Sequence, residues 1–346
     1  MHKNLGDIKA IETIGGIDPA AIPEAILQSP TPIVLKQLVR DWPLVNAARQ
    51  SDTAVVEHLL QCYHGAPVTL LTAPASARGR FTYNEVLDGF NFVRSSAILS
   101  DITGQLLQAQ AQAQDQAQDN ADALYVGSTT VDLCLPGLRD QNDLAINHLE
   151  PLVSIWLGGR SVIAAHFDFP ANIACVVAGR RRFTLFPPEQ VSNLYIGPLE
   201  WTPAGQPVSL VDMTKPDLTR FPKFRDALAK AQVAELNAGD ALLIPSMWWH
   251  HVEALDAFNV LINYWWRDRS STIDSPMTAL LHATVAINAL PAEQKAHWQA
   301  LFEHFIFHSS SASIAHIPAD KRGVLDPQDE TAARRMRAYL FNAMKR

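Results

Sequence analysis

The residues of this chain best suited to chemistry are a triplet, His166-Phe167-Asp168, and a later histidine, His250, which closes the run Pro245-Ser246-Met247-Trp248-Trp249. On an extended strand, residues i and i+2 point to the same face, so an imidazole and a carboxylate at this spacing can grip one side of a metal ion. A histidine arriving from a second strand closes that face. Two imidazoles and one carboxylate leave about three positions of an octahedron open, the arrangement of non-haem Fe(II) oxygenases rather than of closed structural sites. His250 and His251 are adjacent and must face opposite ways on a strand, so spacing alone admits either as the third ligand.

The flanks of these residues are strand-like. Apolar runs at 152–159 and 172–179 bracket the triplet, and a glycine turn leads from the second run into 181–186. Upstream of His250 the sequence predicts a turn at Gly239-Asp240, a buried strand and a proline-bounded bend. From 125 to 268 such runs recur with Gly and Pro between them and few helical signals, which predicts an antiparallel barrel or sandwich. A long Pro-rich stretch, 188–230, holds Trp201, Pro203, Pro207 and a helix-like segment near its end, and is expected to form a structured lid or substrate wall.

Residues 1–124 mix helical spacing at 19–28 and 52–65 with a short strand in 31–38 before a turn at Trp42-Pro43, as expected of an N-terminal α/β layer on the barrel. The Ala/Gln-rich segment 105–123 is made of good helix formers with little to anchor a core, and is expected to be an exposed helix or mobile connector. Residues 269–346 form a C-terminal helical region, with helical spacing over 276–290, 291–308 and 329–346. There Trp298, Leu301, Phe302, Phe305 and Ile306 crowd one face, more apolar surface than a monomer leaves wet, so a dimer interface or the barrel must cover it. His282, His297, His304 and His308 are scattered over helix faces and do not suggest a second metal site.

At 346 residues, with 48% hydrophobic and 18% charged residues, the chain can bury a full core and carry a further region. No apolar run reaches the roughly 18 residues of a membrane span, and no signal-type segment opens the chain, so a soluble, cytoplasmic protein with no membrane partner is expected. A formal charge of -7 excludes the basic footprint of a general nucleic-acid binder. Cys62, Cys134 and Cys175 are odd in number and far apart, and read as reduced packing residues. The arginines at 180–182 require a local explanation. Alternation with Phe183 and Leu185 turns Arg181 inward and Arg180 and Arg182 outward.

Taken together in order, His-x-Asp, the Arg180–Arg182 run before Phe186-Pro187-Pro188, and Pro245-x-x-Trp-Trp-His-His resemble the cupin-like JmjC family of Fe(II)- and 2-oxoglutarate-dependent oxygenases, particularly its asparaginyl hydroxylases. The resemblance covers roughly 125–268 and extends weakly to either side. It implies a mainly β fold, a double-stranded β-helix (jelly-roll) barrel, with a C-terminal helical dimerisation element that would make a homodimer. It further implies that His166, Asp168 and His250 hold iron, which assigns His250 over His251, and that 2-oxoglutarate and O2 are cosubstrates.

A lysine on the strand after the triplet commonly meets the distal cosubstrate carboxylate in that family; here the matching residue is Arg181, a departure that is chemically sound but requires a reshaped pocket. Asn172, Asn263 and Tyr125 match positions that line the cosubstrate site. Ile163 stands where a hydroxyl residue is often found. Trp248 and Trp249 are expected to pack the barrel and steady the metal imidazole. The implied activity is hydroxylation of a protein or peptide side chain or of a small metabolite. The alternatives are a metal-dependent cupin that uses no cosubstrate, such as a dioxygenase or isomerase, and a catalytically silent cupin-like binding protein.

Overall fold

A computed structural model describes residues 8–115, 121–203, 205–267 and 275–345. Two compact units emerge, Met1–Asp268 and Arg269–Arg346. In the first, eight strands form two facing sheets in jelly-roll order. The larger sheet takes Ala241–Ile244, Ala171–Ala178, Asn259–Trp266 and Leu152–Gly158 side by side, and the smaller takes Gln232–Leu236, Arg181–Phe186, Trp249–Ala254 and Ser161–His166. Successive strands along the chain mostly alternate between sheets, so segments far apart in sequence become neighbours.

Residues before 125 contribute helices and also extend both sheets. Glu12–Gly15, Ile33–Lys36, Val68–Ala73 and Val93–Ala97 widen the larger sheet to nine strands, together with Ala123–Thr130; Lys9–Ala10 and Arg80–Phe81 bring the smaller to six. The helices Pro43–Gln50, Asp52–Cys62 and Leu99–Asp115 bury Leu44, Val45, Val55, Leu59 and Ile102 in one core with Ile173, Cys175, Val177 and Ile262 from the larger sheet. Its inner face packs Ala174, Val176 and Leu242 against Phe183 and Leu185 of the smaller sheet. Because both faces of Ala171–Ala178 are covered, that strand is almost continuously apolar instead of alternating. Cys175 points to the outer core, away from the cavity described below, and burial pushes its thiol up.

Leu99, Ile102 and Leu106 anchor the first half of helix Leu99–Asp115. Residues 116–120 of the Ala/Gln-rich segment lie outside the described residues. The strand Gln232–Leu236 was not foreseen, because its residues continue the helical spacing of Phe224–Lys230.

The turn expected at Gly239-Asp240 is present and does more than reverse the chain. Gly239 has φ 97, a conformation that favours glycine. The fully buried Asp240 carboxylate accepts from Lys36 Nζ at 2.7 Å and from the backbone N–H of Gln37 and of Asn237, each at 3.0 Å. Burial alone would raise this carboxyl, but Lys36 and those N–H donors more than offset it and hold it below the ordinary carboxylate value. The N-terminal strand Ile33–Lys36 is thereby locked to the jelly roll.

In Arg269–Arg346 the helices are Pro276–Ile287, Ala292–Phe302 and Glu330–Ala343. Trp298, Leu301, Phe305 and Ile306 remain about half exposed. Among the described residues no helix is long and apolar enough to cross a membrane.

Candidate functional site

The strand Ser161–His166 ends at His166, so Asp168 comes from the segment just beyond it and not from the strand itself. The alternation still operates: Phe167 turns to the opposite side and packs edge-on against Trp249 (ring centres 4.9 Å, 81°). His250 is the direct cross-strand partner of His166, and their rings lie 4.2 Å apart, centre to centre. Each ring uses Nδ1 on the carbonyl two residues before it, His166 on Ala164 at 2.9 Å and His250 on Trp248 at 3.0 Å. Both Nε2 atoms are left to face a shared point, the outer-shell orientation typical of metal-binding histidines.

His250 Nε2 stands 3.6 Å from Asp168 Oδ2, and one donor atom from each of His166, Asp168 and His250 lies within 4.8 Å of the others. Among the described residues no other group of His, Cys, Asp or Glu is gathered in this way, and the C-terminal histidines form none. Burial, then the neighbouring His166, lowers the His250 pKa to about 4 against the opposing pull of Asp168. Its ring is therefore neutral near pH 7, the form that can ligate a metal.

The two ligand loops are stitched together. Met247 takes a left-handed backbone (φ 67), uncommon for a side chain of its size, and its N–H donates to the Asp168 carbonyl at 2.9 Å. Ser246 Oγ donates to the Phe169 carbonyl at 2.7 Å. Trp248 is pinned from the other side by its indole N–H on the Pro30 carbonyl at 3.0 Å.

His251 faces away, opposite Thr184, buried; among the described residues neither ring nitrogen has a hydrogen-bond partner, the nearest carboxylate being Glu253 Oε1 at 3.8 Å from Nε2. Burial lowers its pKa to about 3, so it too is neutral. The choice that spacing left open between the two histidines resolves geometrically, since only His250 joins His166 and Asp168.

The triad opens into a cavity of about 420 Å3 between the sheets, which Tyr125, Asn172, Arg181 and Asn263 also line. Arg181 is 3% exposed and has no carboxylate partner among the described residues, and its Nε is unpaired. The Tyr125 hydroxyl lies within interacting reach of the guanidinium. Burial pushes that phenol up to about 12, which Arg181 partly counters, so Tyr125 keeps its proton. Arg180, by contrast, pairs outside with Asp256 and Glu235, and Arg182 with Glu235 and Glu253. The three consecutive arginines thus divide as alternation requires.

Asn263 Oδ1 accepts from the Trp156 indole N–H at 2.7 Å, and Asn263 Nδ2 donates to Asn172 Oδ1 at 3.2 Å. Ile163 contributes an apolar patch. The Pro-rich stretch supplies wall residues Pro203, Gln206 and Val208, and is held by Arg80 on Asp212 at 2.7 Å and by Tyr83 on the Trp201 carbonyl at 3.0 Å. Two cavity residues were not foreseen. Arg267 lies over the Phe169 ring at 5.4 Å, and the Trp265 indole N–H donates to Asp168 Oδ2 at 3.2 Å.

A family model described as a cupin-like domain matches residues 19–272, well over half of the chain. The chain belongs to the cupin-like domain family. Among curated proteins, this cupin-like chain is 33% identical over 116 residues to lysine-specific demethylase JMJ31 of Arabidopsis thaliana, covering 33% of the chain and 21% of that protein. It is 32% identical over 133 residues to HSPB1-associated protein 1 of Bos taurus (37% and 27% covered). With JmjC domain-containing protein D of Dictyostelium discoideum it shares 28% identity over 232 residues (65% and 49% covered). The chain spans between about a fifth and a half of the length of these relatives.

The donor set suits a six-coordinate ferrous ion: two imidazole nitrogens and a carboxylate on one side, with no thiolate and with cavity on the other. The buried guanidinium of Arg181, which has no carboxylate partner among the described residues, calls for an anion, because an uncompensated buried charge is costly. Both features fit the iron and the dicarboxylate expected from the sequence resemblance.

Proposed function

We propose that the chain is an Fe(II)- and 2-oxoglutarate-dependent oxygenase, a hydroxylase of a protein or peptide side chain or of a small metabolite. The observation that carries this reading is the presence, in one cavity, of an open three-ligand face and a buried arginine with no carboxylate partner among the described residues. His166, Asp168 and His250 would hold the iron. When bound, Fe(II) with 2-oxoglutarate and O2 supplies the oxidising chemistry, releasing succinate and CO2 and placing oxygen on the substrate.

This chain's residues bind and orient. Arg181 offers a planar fork to the distal carboxylate of the cosubstrate, with the protonated Tyr125 hydroxyl as a further donor. Asn172 and Asn263, already bonded to each other, present fixed amides beside it. Trp156, Trp265 and Phe183 give the cavity large apolar walls. Among the described residues, Arg267 is the charged lining residue left after the triad and Arg181 are assigned, which favours a neutral or acidic substrate group over an ammonium, and so hydroxylation over lysine demethylation.

The test is an anaerobic titration of the Co(II)-loaded protein with 2-oxoglutarate, followed by visible absorption. A saturable change in the metal bands is expected. Unchanged bands would favour the cupin that uses no cosubstrate, and failure to release succinate in air with Fe(II) would favour the silent binding protein.

The exposed apolar face of Ala292–Phe302 and the turn after it supports self-association of the C-terminal helices into a homodimer. Sedimentation should give a dimer for the full chain, and Leu301→Glu combined with Phe305→Glu should shift it to a monomer. A wild-type monomer at micromolar concentration rules this out.

A further inference from the structure

Among the described residues, the Asp168 side chain has one hydrogen-bond donor apart from its contact with the His250 imidazole: the Trp265 indole N–H, at 3.2 Å to Oδ2. Trp265 is half-buried in the strand Asn259–Trp266 and is itself held edge-on by Trp156 (5.7 Å, 89°). Trp156 in turn is fixed by its own N–H on Asn263 Oδ1 at 2.7 Å. Asp168 lies beyond the end of its strand; the Met247 N–H on its carbonyl holds the backbone there, but that bond does not fix the side chain.

A carboxylate on a loop can swing about two side-chain torsions, and a metal must otherwise meet the cost of stopping it. A neutral N–H on Oδ2 limits that motion, leaves lone pairs on both oxygens for an ion and keeps the full negative charge on the ligand. An arginine at the same place would stop the motion too, but would compete with the cation.

We propose that Trp265 is the positioning residue for the metal-binding carboxylate, setting metal affinity through this one N–H; the inference rests on the oxygenase reading, in which Asp168 is a ligand. The indole itself neither ligates the metal nor touches the reacting atoms.

The experiment is anaerobic titration of the full chain with Co(II) and with Fe(II), comparing wild type, Trp265→Phe and Trp156→Phe, with thermal melting of each metal-free protein as a check on folding. Trp265→Phe keeps an aromatic ring against Trp156 and deletes the N–H. The expected result is a rise of about tenfold to a hundredfold in its metal Kd, the usual effect of losing an outer-shell partner. Trp156→Phe removes an indole of the same pair without touching Asp168, and should leave the metal Kd within about twofold. If Trp265→Phe does not fold, Trp265→Leu carries the same expectation.

Equal affinities for wild type and Trp265→Phe overturn the inference, and so do equal losses in both tryptophan variants, which would make the aromatic packing responsible and not the N–H. Should wild type itself bind neither metal, the oxygenase reading falls along with it. Metal binding by wild type with no change in Trp265→Phe leaves that reading standing and removes only the role of Trp265.

Discussion

His166→Ala and Asp168→Ala should each abolish 2-oxoglutarate-dependent succinate release and weaken Fe(II) or Co(II) binding by more than about a hundredfold. Even outer-shell partners of a metal are commonly worth ten- to a hundredfold in affinity, and these substitutions remove a ligand outright. Two remaining donors cannot define a face. His250→Ala should behave in the same way, whereas His251→Ala should keep the metal, because His251 points to the opposite side of its strand. Metal titration with a parallel succinate assay distinguishes the cases. Retention of stoichiometric metal by His166→Ala, or loss by His251→Ala and not by His250→Ala, would show that the ion sits elsewhere.

For Arg181→Ala the expectation is a rise in the apparent KM for 2-oxoglutarate of about ten- to a hundredfold, with metal affinity nearly unchanged. Hydrogen bonds to charged groups contribute about 1.5–3 kcal/mol, and each 1.4 kcal/mol is a factor of ten. Arg181 is buried and lacks a carboxylate among the described residues, so competition from a resident partner will not mask the effect. Arg181→Lys restores the charge but not the planar fork, and should fall between the two. Steady-state kinetics against 2-oxoglutarate, with metal content measured on the same samples, separates the terms. If metal retention drops while cosubstrate dependence stays put, the guanidinium serves the fold and not the cosubstrate.

Much of this arrangement could be read from the chain because it follows from local periodicity. The i, i+2 relation of His166 and Asp168, the inward turn of Arg181 between two outward arginines and the reversal at Gly239-Asp240 each depend on a few consecutive residues. What escaped depends on neighbours that only the fold supplies. Trp265 lies far from Asp168 in sequence, and a tryptophan in an apolar run is read as packing. Whether His250 or His251 joins the triad turns on strand register, which no local pattern records. That the N-terminal strands extend the sheets of the jelly roll is not legible in the sequence, because pairing partners such as Leu35 and Ala241 carry no signal of one another. Gln232–Leu236 was lost to the helical spacing that runs into it.

The Pro-rich segment enters the cavity wall through Pro203, Gln206 and Val208, yet it is tethered by Arg80 and Tyr83 and supplies none of the triad. In the proposed oxygenase, contact with the substrate and the redox chemistry would therefore fall to different stretches of polypeptide. On that reading, substitutions in this one segment would retailor what is admitted while leaving the triad undisturbed, so one scaffold could serve new clients.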